Sequence, residues 1–380
     1  MSYCFLCLFR ADKAASGLAF RIPQLWKALA DSGEDVYLII NQSLFDKTLS
    51  NNISLNIKKK VYIIPDIIDF KIDSLFLVPP ILLYLVTIKK ITKFHLTIGG
   101  AYFIKYIKLL SKISSEEIQI HTSIGSKNLE MLVGNDFNSK YYQLHENLLR
   151  DSYKIDCLYP TSGFPEFQNK CIQSPGSFSW KYDTTSIENL IFNKNKNYNI
   201  LFCSTLIPQK NYRLAIDGYK KLVSIPDIKE LDEIPKLVIV APSIPDKLMT
   251  EIQLFNKGEV GHILLEKYEN IDKLLKDSYI FLSLQDYDNY PSQSLIEAMA
   301  HGCSVIATNF GDTSKIVKVN YNNYLIEKDV SELVDAMIKL LFKKPFINYD
   351  NINYILNNHT VQQYAEYFKN NFIRNEAYNS

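Results

Sequence analysis

The sequence lacks any excess of one charge: 42 basic side chains stand against 41 acidic ones among 380 residues. A polyphosphate partner is held mainly by a cationic field, so nucleic acid is not an expected partner. Cysteine is also scarce. The six residues Cys4, Cys7, Cys157, Cys171, Cys203 and Cys303 are too few for a disulfide scaffold, and reduced thiols are the expectation. Cys4 and Cys7 are spaced like a redox or metal pair, yet residues three apart on a strand point to opposite faces. A helix that spans a membrane needs about 20 apolar residues, and the apolar run Ser74 to Ile88 falls short of that. The opening run Tyr3 to Phe9 is too short for a signal peptide and meets Arg10 and Asp12 at once, so a cytoplasmic location is expected. P-loop, G-x-G-x-x-G and H-E-x-x-H motifs are absent where they would be needed.

What is present is the composition of an ordinary globular protein, 47% hydrophobic and 22% charged. The length suggests two or three domains. Short apolar runs alternate with longer amphipathic stretches, the pattern of strands and helices around parallel sheets, so the fold class is α/β. Expected strands in the first half are Tyr3 to Phe9, Val36 to Ile40, Val61 to Ile64, His95 to Ile98 and Ile118 to Thr122. The last two end in Gly99-Gly100 and in Ser123-Ile124-Gly125, where glycine lets backbone approach a ligand closely. The polar stretch 193–199 reads as a linker between a domain over 1–192 and a second doubly wound domain over 200–358. The last helix, in 359–380, is expected to pack back toward the first domain. Two such domains form a cleft between the carboxyl ends of their sheets, where open α/β sheets bind ligands.

Charge is uneven locally, since residues 51 to 112 carry 10 basic and 3 acidic side chains. The same region holds SLFLVPPILLYLVTI, broken by Pro79 and Pro80 and followed by Lys89, Lys90 and Lys93. Two readings stand: a buried strand and helix, or a basic and apolar surface over residues 74–112 that rests on an anionic membrane.

The segment from Asp286 to Gly302 is the richest in polar chemistry. Pro291 near a helix start and Gly302 beyond its end are correct punctuation. The amides of Ser292, Gln293 and Ser294 then stand at the positive end of a helix, which favours an anion. Glu297 falls one turn further on, where a carboxylate can accept bonds from a sugar diol.

The stretch PSQSLIEAMAHGCSVIATNFGD resembles the donor-binding motif of the group 1 retaining glycosyltransferases of the GT-B fold. Upstream, Leu201 to Asn211 resembles the family's strand-loop-Lys-Asn element. The resemblance covers most of the chain past residue 198 and the first half only loosely. It implies two Rossmann-like domains facing across a cleft, with a nucleotide diphosphate sugar as donor, a glycan or glycolipid as acceptor, retention of anomeric configuration, and no cofactor or metal. It implies that Lys210 binds the diphosphate and that Glu297 binds the ribose. Tyr290, Pro291, Ser292, Gln293 and Ser294 fall within the donor site. Where the family has an Arg this chain has Thr205, and where the family has a first Glu it has Asn289, with Asp288 one position earlier. A His near the sugar is matched best by His121, with His95 as rival, and Gly17 resembles the family's first glycine loop. Asp286-Tyr287-Asp288 forms a D-x-D, which in another transferase fold holds a metal early in the chain. Its late position here argues against that role. The implied process is surface polysaccharide synthesis at the inner face of the cytoplasmic membrane. The rival readings are a binding subunit that has lost turnover, and a nucleotide-sugar epimerase or hydrolase.

Overall fold

Apolar runs with no polar alternation, such as Tyr3–Cys7 and Val36–Asn41, are buried along their whole length, as strands covered on both faces must be. A computed structural model describes residues 2–9, 17–50, 53–66, 70–125, 140–158, 165–176, 197–258, 261–267, 271–287, 290, 292–343 and 347–374. By its contacts the chain divides into Met1–Trp180 with Val361–Ser380, and Lys181–Thr360.

The first unit runs β1 (Tyr3–Cys7), α1 (Gly17–Asp31), β2 (Val36–Asn41), α2 (Gln42–Thr48), α3 (Leu55–Lys58), β3 (Val61–Ile64), α4 (Phe70–Thr87), β4 (Lys93–Leu96), α5 (Ile104–Ser114), β5 (Gln119–Ile124), α6 (Lys140–Asp151), β6 (Lys154–Cys157) and β7 (Cys171–Gln173). Its sheet has the order β3-β2-β1-β4-β5-β6-β7, and its paired strands are parallel. Tyr3, Phe5 and Cys7 enter one core with Trp26 of α1 and with Tyr364, Phe368 and Phe372 of the C-terminal segment. Cys4, Leu6 and Leu8 enter the opposite core beneath α4 and α5. Cys4 and Cys7 are therefore separate buried thiols on two faces.

Three details of this unit depart from the sequence reading. Ser74 to Ile88 is not a buried strand and helix but most of one helix, with Pro79 and Pro80 inside it. The prolines break the ladder on a side where Phe76 and Pro80 are exposed, so water can satisfy the freed carbonyls. Gly99 does not make room for a ligand: a Cβ there would collide with the carbonyl oxygen of Leu8, so the glycine lets β1 and the turn after β4 pack together. Lys93 is not part of the surface charge, since it is buried in β4 and donates to the Ile373 carbonyl at 2.9 Å.

The second unit runs β8 (Asn197–Cys203), α7 (Tyr212–Val223), α8 (Pro226–Lys229), β9 (Lys236–Ala241), α9 (Asp246–Gly258), β10 (His262–Lys267), α10 (Ile271–Asp277), β11 (Ser278–Ser283), α11 (Gln293–Ala300), β12 (Ser304–Thr308), α12 (Thr313–Ile316), β13 (Tyr324–Ile326), α13 (Val330–Leu341) and α14 (Tyr349–Asn358). The order β10-β9-β8-β11-β12-β13 reverses direction between β8 and β11. Residues 197–199 of the expected linker already belong to β8, while 193–196 lie outside the described residues. The last helix, α15 (Val361–Phe368), belongs to the first unit with the π-turn Lys369–Ile373 that follows it.

Candidate functional site

Open doubly wound sheets bind ligands where the strand order reverses, at the carboxyl ends of the strands. In the second unit that point lies between β8 and β11. Beyond β8 the chain passes through Ser204 and the exposed Thr205 to a 3-10 turn at Pro208–Lys210. Asn211 follows in the left-handed conformation with φ 52°, which ends the turn and aims the chain into α7. Its side chain donates to the Leu284 carbonyl at 2.6 Å, and the Gln209 carbonyl accepts from the Asp286 amide at 3.0 Å. These two bonds fasten the Lys210 turn to the loop after β11. A small pocket opens there, lined by Phe202, Ser204, Lys210, Ser283, Gln285 and Ser294 among others.

Lys210 is partly enclosed, and its ammonium lies 4.8 Å from the centroid of the Tyr287 ring. Burial pushes its pKa down to about 8, because a desolvated cation is costly. No carboxylate pairs with it among the described residues. A cation so held is stabilised by any anion that enters.

Beyond the same loop, α11 begins at Gln293 with Ser292 as its N-cap, and no side chain caps it. The amides of Gln293 and Ser294 therefore occupy the first helical positions, where an anion gains about 0.3 to 1 kcal/mol from the helix end. The Ser292 and Ser294 hydroxyls are 3.3 Å apart. Glu297 is buried, and Gln293 Nε2 donates to its Oε1 at 3.1 Å, so its carboxylate is fixed by its own helix. Gly302, at φ +70°, closes the helix in a conformation other residues rarely adopt. Tyr290 is half-buried, and burial pushes its phenol up to about 12. Asp286, the first member of the D-x-D, is held by Lys328 at 2.8 Å. Asp288, Asn289 and Pro291 lie outside the described residues.

The loop lysine and the helix start line one pocket at the switch point, with a carboxylate one turn further along the helix. Residues 184–354 match the family described as glycosyl transferases group 1. This segment is a group 1 glycosyltransferase domain. Sucrose-phosphate synthase from Thermosynechococcus elongatus superposes with a TM-score of 0.66 at 13% identity, covering 97% of this chain and 98% of that chain. HepE from Anabaena, solved with UDP and glucose, gives a TM-score of 0.65 at 13% identity and covers 97% and 98%. A glycosyltransferase from Rickettsia africae gives 0.63 at 15% identity and covers 99% of both chains. At such identities the likeness establishes the fold, which is GT-B. No curated protein matches the sequence.

Within the group 1 domain, Thr205, Lys210, Tyr290, Ser292, Gln293, Ser294 and Glu297 all fall on the two segments that leave β8 and β11 at the switch point. The residues expected from the first unit fare differently. Gly17 is the first residue of α1, and residues 11–16 before it lie outside the described residues. His121 does not stand at the mouth of a strand. It is buried in β5, its Nδ1 lies 2.7 Å from the Tyr3 hydroxyl, and its ring packs on Tyr3 and edge-on to Phe372. Burial holds its pKa well below the usual imidazole value, so a sugar-facing role does not fit its surroundings. The rival His95 is equally buried, 3.1 Å from the Ser123 hydroxyl, with its pKa pushed down to about 3 by burial.

Tyr287 and Gln285 escaped the sequence reading as contributors, and Asn211 entered it only as the end of the Lys-Asn element. Tyr287 supplies the ring beside Lys210, Asn211 ties the lysine's turn to β11, and buried Gln285 accepts from the Thr308 hydroxyl through its carbonyl. The one local signal was Asn211, which tolerates the left-handed conformation better than most residues.

Proposed function

We propose that the protein transfers a sugar from a nucleotide diphosphate sugar to a glycan or lipid-linked acceptor, with retention of anomeric configuration and without a required metal. Lys210 carries this reading: an enclosed cation at the switch point, beside an uncapped helix start, inside a group 1 glycosyltransferase domain. In the proposed reaction the donor diphosphate lies against Lys210 and the first-turn amides of α11. As the bond from the anomeric carbon to the diphosphate oxygen breaks, negative charge grows on the leaving phosphate. The ammonium and the helix end are already in place to meet it, at no cost in reorganisation. Glu297 accepts the ribose hydroxyls, and Gln293 fixes the carboxylate for that task.

The absence of an Arg at Thr205 removes one planar phosphate clamp, so diphosphate binding leans on Lys210 and the helix amides. Asp288 and Asn289 are assigned to the neighbourhood of the transferred sugar. The domain over 1–192 is assigned to the acceptor, and the product to a surface polysaccharide made on the cytoplasmic side.

HepE was solved with UDP-glucose as well as with UDP, which makes the uridine nucleotides the first to try. The test is calorimetric titration with UDP, GDP, ADP, CMP and their common sugars, with and without EDTA, followed by product analysis with acceptor glycans. Selective binding that survives EDTA and fails in Lys210→Ala supports the reading. Binding with no turnover on any acceptor points to a subunit that has lost catalysis, and no binding at all removes the donor site.

A further inference from the structure

A helix on the outside of a sheet normally turns a charged stripe to water. α4 does not. Between Ser74 and Ile88 there is no charged residue, although one side of the helix faces outward. Val78, Leu82, Leu85 and Val86 enter the core over the first sheet. The opposite side carries Phe76, which is 75% exposed, together with Leu83, Tyr84 and Pro80. Ile88, just past the helix end, is 66% exposed.

α5 lies beside α4 over the same core, through Ile104, Ile107 and Leu110. Its outer side shows Leu109 and Ile113 beside the exposed lysines Lys105 and Lys112. Lys89 and Lys90 stand exposed at the end of α4. Within residues 70–114 the one acidic residue is Asp73, and it is buried. Lys108 is engaged by Asp151 at 2.6 Å, and Glu116 and Glu117 beyond α5 offset part of the positive charge. No helix among the described residues is long and apolar enough to cross a membrane.

We infer that the outer faces of α4 and α5 form a docking surface for an anionic lipid bilayer, lying in the headgroup region rather than spanning it. A second protein would also cover apolar side chains. The charge argues for lipid, since exposed lysines at the end of α4 and along α5, beside an uncharged aromatic and aliphatic stripe, match an anionic surface with hydrocarbon beneath. Tyr84 suits the interface, having an apolar ring and a polar tip. This surface does not depend on the donor site, and it would bring a lipid-linked acceptor to the first unit.

The test uses the full chain and sedimentation with vesicles of phosphatidylcholine alone, or with about a third phosphatidylglycerol. Binding to the anionic vesicles and not the neutral ones is expected, falling as salt shortens the Debye length from about 10 Å at 0.1 M to about 3 Å at 1 M. Lys89→Ala with Lys90→Ala should weaken partitioning on the order of 30-fold. Phe76→Ser with Leu83→Ser should reduce it further at unchanged UDP affinity and thermal unfolding. Should that pair fail to fold, Ile88→Ser outside the helix serves in its place. Equal binding to neutral and anionic vesicles, no binding to either, or binding that both sets of variants leave intact overturns the assignment. Self-association that Phe76→Ser abolishes would give the surface to a second copy instead, and also overturns it.

Discussion

The ammonium of Lys210 lies 4.8 Å from the centre of the Tyr287 ring, so the loop after β11 holds the cation that the loop after β8 supplies. The ring offers its electron-rich face, but a weak attraction of that kind leaves most of the lysine's electrostatic demand unmet. A diphosphate meets it. Lys210→Ala should therefore cost about 1.5 to 3 kcal/mol of nucleotide diphosphate binding, the range for hydrogen bonds to charged groups. That corresponds to roughly 10-fold to 150-fold in Kd, read by calorimetry with UDP. A change below about threefold would falsify the phosphate role.

The same lysine gives a pH dependence of known sign. Burial has lowered its pKa to about 8, so the free protein begins to lose this charge near pH 8 rather than near 10. Binding of a diphosphate requires the charged form. Affinity should be flat below about pH 7 and should decline as pH rises through 8, with proton uptake on binding above that point. Lys210→Arg keeps its charge throughout the range and should flatten the profile. A parent profile that stays flat to pH 9.5 rules out Lys210 as the group.

How far the sequence reached follows from what each element depends on. Strands buried on both faces announce themselves as uninterrupted apolar runs, so Tyr3–Cys7 and Val36–Asn41 were legible within a residue or two. Helix α11 was legible from its punctuation, because Gly302 must close it. The placement of Lys210, Ser292 and Glu297 beside the switch point was legible because the resemblance marks it by position along the chain. His121 was not, because its fate depends on Phe372, 251 positions later in the chain, returning to cover the strand. Tyr287 was missed for a related reason: nothing local shows that its ring will meet a lysine from another loop. The two prolines of α4 misled because they break a helix only where the freed carbonyls lack water.

Glu297 supports a different test. Its carboxylate is buried on α11 and receives a hydrogen bond from Gln293, so it is oriented before any ligand arrives. If it accepts a ribose diol, the parent should prefer UDP over 2′-deoxy-UDP, and Glu297→Ala should erase that preference. The expected loss is about 1.5 to 3 kcal/mol, as for other bonds to a charged acceptor. Gln293→Ala should produce a smaller loss, since it loosens the carboxylate without removing it. Equal affinity of the parent for the ribo- and deoxyribonucleotide would take the diol role away from Glu297.

Arg21 and Asp156 make an ion pair at 2.6 Å with almost no exposure of either side chain. Tyr364, from the C-terminal helix, accepts from Arg21 and donates to Asp156, so the pair ties that helix to α1 and β6. Burying two charges is expensive, and breaking such a pair by removing one partner leaves the other uncompensated at about 3 to 5 kcal/mol. Arg21→Met alone and Asp156→Leu alone should each destabilise the first unit by that amount. The double variant removes both charges and should recover most of the loss. The fluorescence of Trp26, buried in the core beside this cluster, can follow the unfolding of this unit in urea. Additive losses in the double variant would mean that the two side chains stabilise the unit independently, and that the C-terminal helix is held by its aromatic packing on Tyr3 and Phe5 instead.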